Sequence, residues 1–91
     1  MGRSELAYDL LDRMRDNPAG NWTIGDVERL CRLHDIDCKP PSGGGSHYKI
    51  AHRSIADILT IPARRPIKPK YLRLLVRFVG LVITSAPGRQ P

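Results

Sequence analysis

Ile36-Asp37-Cys38-Lys39-Pro40-Pro41-Ser42-Gly43-Gly44-Gly45-Ser46-His47-Tyr48-Lys49-Ile50-Ala51-His52 is the stretch in which the chain changes its period. Before it, apolar residues recur at helical spacing. Within it they alternate with polar ones, the two-residue repeat of a half-buried strand. Pro40-Pro41 halts the first run at Lys39, and three consecutive glycines mark a tight connection before the second run, Ser46 to His52. Alternation then assigns faces. Tyr48, Ile50 and His52 share one side of that strand, and His47, Lys49 and Ala51 share the other. With Tyr48 and Ile50 turned to a core, His47 and Lys49 point outward together.

Working back from this stretch, Thr23 is placed to cap a helix running to about His34, with Asp26 three residues on as a short-armed capping box. Trp22 before the cap and Val27 are placed as a hydrophobic staple, and Ile24, Val27, Leu30, Cys31 and His34 form the buried stripe. His34 is read as a residue of the helix end, where a protonated ring complements the dipole. Upstream again, Ser4 to Asp16 reads as an amphipathic helix with Ser4 as its N-cap and Leu6, Leu10, Leu11 and Met14 inward. Asn17-Pro18-Ala19-Gly20 stops it.

Working forward, Asp57 to Ile61 predicts a third strand ended by Pro62, with Arg53-Ser54-Ile55-Ala56 as the connection. His52 closes the preceding strand. Ala63 to Lys68 is a basic loop, too rich in proline and charge for the core. A last helix begins near Pro69, which suits a first turn. Tyr71, Leu74, Leu75, Phe78 and Val82 are its expected buried stripe, Lys70, Arg73 and Arg77 its basic ridge, and Gly80 an end or an interruption. The order is α-α-β-β-β-α. Short connections make it an α+β fold, a three-stranded antiparallel meander with helices on one face. Residues 1–20 read as a helical extension, 21–84 as the main domain and 85–91 as a flexible tail.

Ninety-one residues allow one modest core and only a shallow working surface. The net charge of +6 conceals an asymmetry. Residues 1–37 hold five Arg against eight Asp or Glu, a balance of −3, whereas residues 38–91 hold ten Lys or Arg against Asp57, a balance of +9. The basic half begins just before the glycine turn, so its natural partner is a polyanion. Two cysteines are too few for a disulfide framework, and Arg3, Glu5 and Asp9 break up the opening residues where a signal sequence would be apolar, so a reduced cytoplasm is expected. The longest apolar run, Phe78 to Ile83, falls far short of the roughly 20 residues of a membrane span. Cys31, His34, Cys38 and His47 are the four side chains that a zinc reading would take as ligands. Their spacing fits no finger pattern, and both cysteines fall on apolar positions, so no metal is expected.

The run from Trp22 to about Gly80 resembles the HicA toxins, the small ribonuclease half of a bacterial toxin–antitoxin pair. The resemblance is carried above all by Pro40 to Lys49, with Leu59-Thr60-Ile61-Pro62-Ala63-Arg64-Arg65-Pro66-Ile67-Lys68-Pro69 in support. It implies a double-stranded-RNA-binding-like fold and mRNA cleavage through His47. It also implies a HicB-like antitoxin as partner, with oligomers formed only in that complex. The first helix is an extension that the resemblance leaves unexplained. The candidate RNA contacts are Gly45, Ser46, Lys49, Arg64, Arg65, Lys68, Lys70 and Arg73. The chemistry is compatible: RNA carries its own nucleophile, the 2′-hydroxyl, so no cofactor or metal is required, and histidine titrates where proton transfer is useful. A Walker-type loop would need Lys and then Ser or Thr after the last glycine, and Ser46-His47 stand there instead. The alternatives are a non-catalytic RNA-binding module on the same basic face and, encouraged by Leu81-Val82-Ile83, a protein-interaction domain.

Overall fold

A computed structural model describes residues 3–85 of the chain. The elements are α1 (Arg3–Asp16), α2 (Ile24–Leu33), β1 (Asp37–Lys39), β2 (His47–His52), β3 (Ile55–Pro62) and α3 (Pro69–Ser85). The three strands form an antiparallel sheet in the order β1-β2-β3, so the expected α+β architecture and element order are observed. The expected tail, apart from Ser85 at the end of α3, lies outside the described residues.

α1 buries Leu10, Leu11 and Met14 in the same core that holds the stripes of α2 and α3. It begins by Arg3, so Ser4 is already a helical residue and not the cap expected there; the side chain of Leu6 lies outside those described. After α1, the backbone N–H of Gly20 donates to the carbonyl of Asn17 at 3.1 Å and the chain turns at once. Trp22 then fastens three segments. Its indole N–H donates to the Asn17 carbonyl at 2.7 Å, its carbonyl accepts from Ile67 N–H at 2.9 Å, and its ring packs partly buried against the core.

α2 starts as its sequence dictates. The N–H of Asp26 donates to Thr23 Oγ1 at 3.3 Å, and the N–H of Thr23 donates to Asp26 Oδ2 at 2.9 Å, a reciprocal capping box. Two otherwise unpaired helix-end donors are satisfied by one short loop of atoms. Thr23→Ala should therefore lower stability by about 1 kcal/mol, read as a shift of the urea midpoint at unchanged slope. A Thr23→Ser protein, which keeps the hydroxyl, should lie close to wild type. At the other end His34 is the C-cap and Asp35 takes the left-handed conformation (φ 56°). Ile36 N–H donates to the Cys31 carbonyl at 2.8 Å and Asp35 N–H to the Arg32 carbonyl at 3.3 Å. This is a Schellman closure with aspartate where glycine is usual, and it turns the chain back along α2 into β1.

In the sheet, Cys38 pairs with Ile50, and Ile50 with Leu59. Ile50 and Ile61 are buried under the helices while His47, Lys49, Ile58 and Thr60 are exposed on the other face, the parity expected from the sequence. β3 begins at Ile55, not Asp57, and the connection shrinks to Arg53-Ser54. The reason is local: Ser54 N–H donates to His52 Nδ1 at 3.1 Å, with the Ser54 hydroxyl 2.7 Å from the same nitrogen. That nitrogen must therefore accept, leaving the ring proton on Nε2. The bond closes a two-residue turn that lets Ile55 pair with His52, and an irregularity between Ile50 and His52 absorbs the offset.

α3 runs through Gly80 to Ser85. Its buried face is Leu72, Leu75, Phe78, Val79 and Val82, rotated from the stripe expected. Leu74 is 46% exposed and Tyr71 half-buried. Leu72, Leu75, Val79 and Val82 fall at i, i+3, i+7 and i+10, as regular as the expected set, and the position of the sheet selects between the two. Leu74 and Leu81 instead flank a largely apolar groove beside the free edge of β3, with Ile58 and Leu59 opposite. No helix of the described residues is long and apolar enough to cross a membrane.

Candidate functional site

The connection between β1 and β2 holds Gly43 at φ 70° and Gly44 at φ 97°. Among the described residues nothing lies within 4 Å of where a Cβ would stand on either, so the requirement is backbone handedness and not close approach. These glycines make a left-handed turn that delivers the chain to His47, the first residue of β2.

His47 pairs with Pro62, the last residue of β3, and Ala63 N–H donates to the Ser46 carbonyl at 2.7 Å, carrying the ladder one step further. The basic loop consequently leaves the sheet right beside His47. It cannot swing away, because Ile67 is buried and its N–H is held by the Trp22 carbonyl. Lys68 then opens α3, its carbonyl accepting from Tyr71 N–H at 2.9 Å and Leu72 N–H at 3.3 Å. These constraints converge on a cavity of about 230 Å³ lined by Ser46, His47, Pro62, Arg64, Lys68 and Tyr71.

Among the described residues, no carboxylate lines this cavity. Two cationic side chains do, and the first turn of α3, which contains no acidic residue, adds the partial positive charge of a helix N-terminus. Lys70 sits with its ammonium 5.1 Å from the centre of the Tyr71 ring, a cation–π contact that keeps a third cation near the rim. His47 is exposed and makes no side-chain hydrogen bond among the described residues. Cations and a helix N-terminus set around an exposed imidazole can attract an anion.

Of the residues singled out from the sequence, His47, Ser46, Arg64 and Lys68 come together here. Gly45 lies in the preceding loop, and Arg65 is exposed outside the cavity, as is Arg73 on α3. Lys49 is exposed on the open face two residues along from His47, also outside the cavity. Its cross-strand partners are Thr60 and Lys39. Two lysines directly opposite one another repel, and among the described residues neither has a carboxylate partner. The open face therefore offers a second anion contact beside the cavity. Lys39 and Tyr71 escaped sequence reasoning. Lys39 needed the register, and Tyr71 needed notice that Lys68 and Tyr71, three apart at a helix start, share a face.

Cys31 lies on α2 and Cys38 on β1, with His47 at the far end of β2. Among the described residues no group of three or more His, Cys, Asp or Glu could hold a metal ion. Compared with family models, curated proteins and solved structures, the chain matches none.

Proposed function

We propose that the chain is a metal-independent endoribonuclease that cleaves mRNA by transesterification through His47, a cytoplasmic toxin of the HicA type held inactive by a HicB-like antitoxin. The observation that supports it is the convergence of His47 with Arg64, Lys68 and Tyr71 in one cavity that no carboxylate of the described residues lines. Arg64 and Lys68 hold the phosphate and stabilise the charge that develops on its oxygens. His47 moves the proton, either from the attacking 2′-hydroxyl or to the leaving 5′-oxygen. The phosphorus–5′-oxygen bond breaks as the 2′-oxygen attacks, leaving a 2′,3′-cyclic phosphate and a 5′-hydroxyl. The exposed cations, Lys39, Lys49 and Arg73 among them, extend the contact along the RNA backbone by charge and shape, independent of base sequence. An acidic antitoxin laid over this face would neutralise the same cations.

The test is RNA incubated with purified chain in excess chelator, followed by analysis of the ends. Cyclic phosphates and 5′-hydroxyls are expected. RNA retained intact at low salt would support the non-catalytic binding module, and RNA not retained at all would remove both readings.

A further inference from the structure

We infer that Cys31 and Cys38 form an oxidisable thiol pair that peroxide converts to an intramolecular disulfide joining α2 to β1. This inference does not rest on the nuclease reading. The pairing follows from the closure of α2. The hydrogen bond from Ile36 N–H to the Cys31 carbonyl brings the chain back onto the last turn of the helix, so β1 departs beside residue 31. Strand alternation then gives Cys38 the face of buried Ile36, the face on which its cross-strand partner Ile50 is also buried. Cys31 belongs to the buried stripe of α2, with Val27 and Leu30, that packs against that face. Cys38 packs against the buried cluster that holds Cys31, and both thiols are free.

The two positions are not equivalent. Cys31 is fully buried, whereas Cys38, on the edge strand β1, is only half-buried. The interaction between the two thiols raises the Cys31 pKa, with burial adding to the rise, and lowers that of Cys38 against a smaller opposing effect of burial. Glu28 and Arg32, the charged neighbours on α2, act on both in opposite directions. Cys38 is thus the nucleophile and Cys31 the resolving thiol. In the first step the Cys38 sulfur attacks one oxygen of hydrogen peroxide, the O–O bond breaks, and a sulfenic acid and one water result. In the second the Cys31 sulfur attacks the sulfenic sulfur, the S–O bond breaks, and the oxygen leaves as a second water with the Cys31 proton. Peroxide is the oxidant, and two thiols lose two hydrogens between them.

The reduced full-length chain is exposed to hydrogen peroxide, quenched with an alkylating reagent in denaturant and weighed intact. The expected product is a monomer two hydrogens lighter that carries no alkyl group and regains both thiols with dithiothreitol. Cys31→Ala should strand Cys38 as an oxygen adduct, and Cys38→Ser should leave Cys31 unoxidised. Three results would overturn the inference: two alkylatable thiols surviving doses that oxidise free cysteine, disulfide-linked dimers in place of the monomer, or bond formation just as fast in urea, since the fold would then contribute nothing.

Discussion

RNA cleavage by a His47→Ala protein is expected to fall by about 10² to 10⁴-fold, the usual worth of one positioned proton-transfer group, with no change in thermal midpoint. The two halves of this expectation rest on separate observations. His47 is exposed at the start of β2 and makes no side-chain hydrogen bond among the described residues, so its removal opens no cavity and strands no partner. Stability should therefore hold within about 0.5 kcal/mol, as for other surface substitutions. Arg64 and Lys68 remain in place, so RNA affinity should be nearly unchanged. His47→Gln, which preserves hydrogen bonding without a titrating ring, should be as inactive as alanine. Cleavage at the wild-type rate by either variant would remove His47 from the mechanism and leave the surface as a binding face.

The largest structural effect is expected at Met14. Its side chain is completely buried among Leu10, Leu11 and the stripes of the other helices. Truncation to alanine should cost about 2 to 5 kcal/mol, the transfer term plus the cavity left behind. A domain of this size has about 5 to 15 kcal/mol in total, so the variant should unfold at a much lower urea concentration or be partly unfolded at 37 °C. Leu74→Ala on the exposed side of α3 is the internal comparison, and its cost should be small. A Met14→Ala protein with the wild-type midpoint would show that α1 rides on the domain without sealing it.

How much of this was legible depended on how local each determinant is. The cap of α2 could be read because Thr23 and Asp26 satisfy each other within one turn. The outward face of His47 and Lys49 could be read because strand parity is strict. The start of β3 could not: Arg53-Ser54 contains neither Gly nor Asn, and the turn is closed instead by the His52 ring accepting from Ser54 N–H, a local bond that no turn-residue pattern announces. The buried side of α3 was ambiguous because Leu72, Leu74, Leu75, Val76, Phe78, Val79, Leu81, Val82 and Ile83 place apolar groups nearly all round the helix, so only the sheet could choose among them. The site followed the same rule. His47 stood out from its setting after the glycines, but its meeting with Arg64, Lys68 and Tyr71 depends on the hydrogen bond between residues 22 and 67, far apart in the chain.

That bond has a practical corollary. The chain contains one tryptophan, and it is the residue whose carbonyl tethers the basic loop while its indole N–H is tied to the end of α1. Excited at the red edge, where the three tyrosines do not absorb, the chain emits from a single point shared by the loop, α1 and α2, and the seating of the loop beside His47 can be followed by the colour and polarisation of that emission without any attached dye.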